Sequence, residues 1–181
     1  VTSLIYSLIT THTTDEVQFY IMDFGTEILG MFKDAPQVGD IVYINELEKV
    51  NNLFNTIDTE IESRKKMFID YNGDYNLYIQ NSPNKVPRII IILNSYEAFS
   101  DNYDEYVDRL TRLSREGERY GISLVITASG VNAVRSKVSQ NFSKQLCLNF
   151  NDPSDYSYIL GSTHGMIPSD ILGRGLVKLQ G

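Results

Sequence analysis

The period of the apolar positions changes several times along this chain, and each change marks an element. Leu4, Ile5, Leu8 and Ile9 recur on one helical face, and that pattern fails at the run Thr11-His12-Thr13-Thr14. Val17–Phe24 is short, aromatic and branched, apolar nearly throughout, and predicts a strand closed by Gly25. A second short strand is predicted at Ile41–Ile44, after a turn-rich stretch. From Glu46 to about Ile69 the spacing returns to three and four, through Leu47, Val50, Leu53, Phe54, Ile57 and Ile61.

The run Arg88–Asn94 follows Pro87 and is continuously apolar, as expected of a strand covered on both faces in a parallel sheet. Asp104–Arg119 predicts an amphipathic helix with Tyr106, Leu110 and Leu113 on one side, closed by Gly121, and Ile122–Ala128 a further buried strand. A short helix around Val134 and Val138, a strand at Gln145–Phe150, a helix at Asp155–Leu160 and a last strand at Gly175–Leu179 complete the order. Asn81–Pro87 predicts a loop. Strands alternating with helices predict an α/β domain, with Val17–Phe24, Arg88–Asn94 and Ile122–Ala128 side by side in a parallel, doubly wound sheet.

Composition narrows the class. A chain of 181 residues suits a single domain with a real core. Its 12 Tyr and 8 Phe exclude disorder, and the longest purely apolar run, Ile89–Leu93, is far short of a membrane span. The first residues lack the basic segment of a signal peptide. The single cysteine, Cys147, has no internal disulfide partner and reads as a buried thiol in a reducing compartment. With 16 Lys and Arg against 23 Asp and Glu, the net charge is −7, which counts against wrapping DNA.

In a parallel α/β sheet, chemistry gathers at the carboxyl ends of the strands. Those ends, Asp23, Asn94–Ser95 and Thr127–Ser129, each carry polar residues and predict a shared crevice. An apolar strand with a polar end resembles a Walker B strand, whose terminal Asp holds Mg²⁺ through water while the following Glu polarises the attacking water. Asn94 and Ser95 stand in those places here. An amide brings no charge to a divalent cation, and a hydroxyl is a poor base. Glu97 follows two residues on. No G-x-x-x-x-G-K-[ST] string occurs, so the chain reads as starting after such a loop. His12 and His164 have no ligand spacing around them, so no metal site is expected. The run Glu62–Met67 reads as a solvated helix face and not a binding patch.

Taken in order, these segments resemble an FtsK/SpoIIIE-type ATPase module. The nearer likeness is to a later, degenerate module of the membrane-bound ATPase of type VII (ESX/WXG100) secretion systems, the EssC/EccC/Yuk type. The residues that carry it are Val17–Glu27 with its DFGT ending, Glu60–Asn81, Pro87–Phe99, Leu110–Ser129, Asn141–Gly161 and the GRGLV of Ile171–Gly181. The resemblance implies a three-layer RecA-like P-loop fold, mainly parallel with helices on both faces, lacking its first strand and P-loop here, and residues 1–181 as one module of a longer protein. It also implies nucleotide-binding positions at Asp23, Asn94, Ser95 and Ser129. ATP and Mg²⁺ would be cofactors of the full-length protein, with none expected on this chain by itself. Sister modules, a hexamer and WXG100-type secreted proteins are the implied partners, at the cytoplasmic face of the cell membrane. Because the Walker positions are altered, the resemblance favours a nucleotide-binding or regulatory module over a working hydrolase. The alternatives are a DNA-translocating motor of the same family and an interaction domain that has lost nucleotide.

Overall fold

A computed structural model describes residues 1–178. They form two compact units, Val1–Ser129 and a second one beginning at Gly130.

The first unit is built on strands β1 (Val17–Asp23), β2 (Val38–Tyr43), β3 (Arg88–Asn94) and β4 (Ile122–Ile126). All pair in parallel, in the order β2-β1-β3-β4, so the three strands expected side by side are neighbours, but β4 ends the described sheet and buries only Ile122, which corrects the expectation of a buried strand there. Side-chain alternation divides them between two faces. Phe19, Ile21, Ile90 and Ile92 join Ile5 of helix α1 (Thr2–Thr11), Leu29 and Phe32 in one core cluster. On the opposite face, Gln18, Tyr20, Ile89 and Ile122 border a cleft of about 240 Å³ together with Ile57 and Arg64 of helix α2 (Leu47–Met67). Helices therefore cover both faces, as the continuous apolar runs require.

Helix α2 buries Val50, Leu53, Phe54, Ile57, Ile61 and Arg64 along one stripe. Arg64, Lys65 and Lys66 fill its last turn, where cations offset the helix dipole. Arg64 corrects the expectation of a solvated face for this run. Its guanidinium is buried, donates to Glu60 Oε1 at 2.7 Å and reaches the Tyr120 and Pro87 carbonyls at 2.9 and 2.8 Å. Those carbonyls lie at the entries to β4 and β3, and the planar fork of Arg satisfies both at once.

Two helices were not legible from spacing. Helix α3 (Tyr75–Asn81) is capped by Asp74, which accepts the Leu77 amide at 2.9 Å, and helix α4 (Tyr96–Asn102) starts directly after β3. Each has only 7 residues, too few to establish a period. The expected Asp104–Arg119 helix is α5 (Val107–Glu116), with 3₁₀ turns at Asp104–Tyr106 and Gly117–Tyr120.

The second unit holds α6 (Ser136–Ser139), β5 (Leu146–Cys147), α7 (Ser154–Leu160) and β6 (Leu176–Val177). Here the structure departs from the expected parallel alternation, because β5 and β6 pair antiparallel in a separate ribbon. The reason is local. In β5, Cys147 is buried but Leu146 is 65% exposed, so only one face finds a core. That core is Cys147, Tyr156 and Leu160, with Phe150, Ile159 and Leu176 packed against it. Burial pushes the Cys147 thiol pKa up, as expected of an inert interior cysteine. Leu179, placed in the last strand by the sequence, lies outside the described residues.

Candidate functional site: a polar row at the strand ends

Strand register fixes which residues meet. Ile21 lies opposite Ile92, and Ile92 opposite Val125, forming an apolar rung on the α1 face. Two residues further along each strand, the same face carries Asp23, Asn94 and Thr127. Asp23 and Asn94 are register partners. The polar row thus caps an apolar ladder.

Its hydrogen bonds converge on Asp23. The Ser95 amide donates to Thr127 Oγ1 at 2.9 Å, and the Thr127 hydroxyl donates to Asn94 Oδ1 at 2.8 Å. Asn94 Nδ2 donates to Asp23 Oδ1 at 2.8 Å, and the Leu29 amide donates to Asp23 Oδ2 at 2.9 Å. A backbone amide can only donate and a carboxylate can only accept, so the ends of the chain fix the orientation of everything between them. Thr127 Oγ1 must pass its proton on, and Asn94 must turn its oxygen to Thr127 and its nitrogen to Asp23. Asp23 is only 1% exposed, with both oxygens engaged. Burying a carboxylate costs heavily unless such donors are supplied.

Backbone geometry is specialised at the same point. Ser95 has φ 71° and ψ 83°, in the left-handed region that a side chain disfavours. This turn aims its amide at Thr127 and starts α4, whose Tyr96 amide donates to the Thr127 carbonyl at 2.9 Å. Gly25 packs against Asn94, where a Cβ would stand 3.0 Å from Nδ2.

Ser129 is held separately. Its amide and hydroxyl each donate to Glu97 Oε1 at 2.6 Å. Burial alone would raise the Glu97 pKa, but the bonds from Ser129 outweigh it and hold the carboxyl below the usual glutamate value. Of the sequence-derived positions, Asp23, Asn94 and Ser95 therefore join one chain, and Ser129 pairs with Glu97. The Leu29 amide is the member that sequence reading left out, and Thr127, placed among the strand-end residues Thr127–Ser129, was not singled out as a site residue. For Thr127 the signal was strand parity, two residues past Val125.

Helix α1 runs back along this face. Gln37 Nε2 donates to the Ile9 and His12 carbonyls at its carboxyl end, beside the starts of β1 and β2. Among the described residues no His, Cys, Asp and Glu cluster has metal-ligand geometry, and no helix is long and apolar enough to cross a membrane.

A parallel sheet of this order, flanked by helices and polar at its carboxyl edge, is the architecture of the P-loop ATPase domains. The chain belongs to the FtsK/SpoIIIE family, whose model matches residues 1–162. Its relatives include the type VII secretion system protein EssC of Staphylococcus aureus strain NCTC 8325, 24% identical over 179 residues, covering 97% of this chain and 12% of that protein. The ESX secretion system protein EccC of Geobacillus thermodenitrificans is 26% identical over 180 residues, with the same coverage of each. The chain thus spans about an eighth of the length of these relatives. Among solved structures, EssC (ATPases 2 and 3) from G. thermodenitrificans superposes with a TM-score of 0.89 at 25% identity, covering 97% of this chain and 34% of that one. EccC (ATPases 2 and 3) from Thermomonospora curvata, solved with a signal sequence peptide, gives 0.84 at 22% identity, covering 98% and 33%.

Proposed function

We propose that this chain is a module of a type VII secretion ATPase that binds nucleotide or regulates its sister modules and does not itself turn ATP over at an ordinary enzyme rate. The observation that carries this reading is the amide of Asn94, tied to Asp23 and Thr127, at the end of the strand where a hydrolase keeps its magnesium carboxylate. Ser95, in the next place, spends its amide on Thr127 and offers only a hydroxyl where a base would act. Phosphoryl transfer depends on charge stabilisation, and neither residue supplies charge.

Similarity to chains that carry ATPases 2 and 3 supports tandem sister modules as partners. The family match also runs through the first compact unit and into the second, as far as residue 162, which favours reading residues 1–181 as one module. As part of the same proposal, the full protein works as a hexamer at the cytoplasmic face of the cell membrane, uses ATP with Mg²⁺ in its active modules and takes WXG100-type proteins as cargo. The signal sequence peptide bound by the T. curvata relative agrees with a secreted protein as cargo. A DNA-translocating role is the alternative within the same family. The net charge of −7 opposes it.

The test is a phosphate-release assay on the purified 181-residue chain, alongside titration with ATP. Turnover at background is expected. A rate of about 1 per second, the low end for ordinary enzymes, would overturn the reading.

A further inference from the structure

We propose that the Asn94 carboxamide takes the place of a divalent cation at these strand ends, so that the site is complete without metal. This inference rests on the hydrogen-bond geometry alone and stands whether or not the chain binds nucleotide.

Magnesium demands oxygen ligands at about 2.0–2.1 Å in a near-octahedral shell, and it repels N–H donors. The residues present do not fit it. Both oxygens of Asp23 receive N–H groups, from Asn94 and from Leu29. The Asn94 oxygen receives the Thr127 hydroxyl. A metal would have to share oxygens that already accept these bonds, beside the N–H groups that it repels, on a carboxylate that is 1% exposed. Conversely, the amide does what a cation would do. Its partly positive NH₂ compensates the buried negative charge of Asp23, and its oxygen carries the link on to β4. The polarity of the chain, fixed by the Ser95 amide at one end and the Asp23 carboxylate at the other, leaves the amide only one orientation.

Replacing that NH₂ by an oxygen reverses the situation. Asn94→Asp sets two carboxylates at a separation now spanned by a 2.8 Å hydrogen bond, with no donor between them. Like charges that close cannot both ionise without a proton or a cation between them. The single substitution should therefore make the site take up a proton or, at neutral pH, a divalent metal, which the natural chain has no need of. The exchange Asp23→Asn with Asn94→Asp should not. In the exchanged pair, the amide at position 23 accepts from Leu29 and donates to the carboxylate at position 94, which still accepts from Thr127.

Thermal denaturation of the three 181-residue chains, with millimolar MgCl₂ or with a monovalent salt of equal ionic strength, tests this. The natural chain should melt at one temperature in both buffers. Asn94→Asp should melt at least about 5 °C lower without magnesium, the scale of a lost buried interaction in a chain of this size, and recover most of that loss with it. The exchanged pair should melt within about 2 °C of the natural chain in both. The proposal fails if magnesium stabilises the natural chain. It fails equally if Asn94→Asp matches the natural chain without metal, if it is destabilised and gains nothing from magnesium, or if the exchanged pair is no more stable than Asn94→Asp. Should Asn94→Asp not fold, the exchanged pair decides, a folded protein supporting the proposal and an unfolded one overturning it.

Discussion

Asn94 and Asp23 face each other across β3 and β1 as register partners, and the amide of one closes on the carboxylate of the other at 2.8 Å. They lie 71 residues apart in sequence. The contact exists because parallel pairing in register brings the two strand ends level. The cost of burying Asp23 is met by donors from two separate segments, and removing any one of them should be felt at the others.

Thr127 is the first place to look for that coupling. Thr127→Val keeps the shape and removes the hydroxyl, which leaves the Asn94 oxygen and the Ser95 amide without their partner. Equilibrium urea unfolding should register a loss of about 1–3 kcal/mol. Thr127→Ser should retain most of the stability. A valine variant as stable as the natural chain would mean that the hydroxyl does not bridge the row.

The strands were legible because their signal is local. Arg88–Asn94 is bounded by Pro87 and apolar without interruption, and it forms as a strand over those same residues. The strand-end positions Asp23, Asn94 and Ser95 were legible for the same reason, since an apolar run must end somewhere polar. Their bonding was not. Which residue of Thr127–Ser129 joins Asn94 depends on register with β3, and where Glu97 points depends on the turn at Ser95; a sequence prints neither. Arg64 went unread because a charged residue on a helix is usually solvated, and the carbonyls that bury it come from distant loops. The antiparallel ribbon of β5 and β6 went unread because 2 residues a strand carry no pairing direction.

Arg64 supplies the second prediction. Arg64→Met fills similar space but orphans the carbonyls of Tyr120 and Pro87 at the entries to β4 and β3. The expected loss is about 2–4 kcal/mol by chemical denaturation. Glu60, the ion-pair partner, has a side chain 37% exposed, and Glu60→Gln should cost less than about 1 kcal/mol. If both substitutions cost the same, the salt bridge and not the carbonyl contacts holds Arg64.

Glu97 predicts a pH dependence. Its carboxyl titrates below the usual value in the folded chain, so the folded state binds that proton more weakly than the unfolded one. The stabilisation is then fully present above the ordinary glutamate pKa and is lost as the pH falls through the depressed one. The stability difference between the natural chain and Glu97→Gln should be constant from about pH 7 to 5 and shrink below about pH 4.5. Other carboxylates also titrate there, so the readout is the difference between the two proteins. A difference that stays flat to pH 3 would show that the bonds from Ser129 do not depend on the Glu97 charge.

The last prediction asks whether Gly25 is glycine because of Asn94. A Cβ at position 25 would sit 3.0 Å from Asn94 Nδ2, closer than a methyl and an amide nitrogen sit without one of them moving. The amide has little freedom to move, because its nitrogen is held by Asp23 and its oxygen by Thr127. Gly25→Ala should therefore lower stability by about 1–2 kcal/mol, the usual penalty for overpacking by one methyl group. The other neighbour, Ser95 Cβ at 3.7 Å, is at ordinary contact distance and adds no penalty. If the clash is with the amide, its removal should relieve it. In an Asn94→Ala background, Gly25→Ala should be close to neutral, and the double-mutant cycle should return a coupling of about 1 kcal/mol or more. If Gly25→Ala costs the same in both backgrounds, glycine serves the backbone at that turn and not the placement of Asn94.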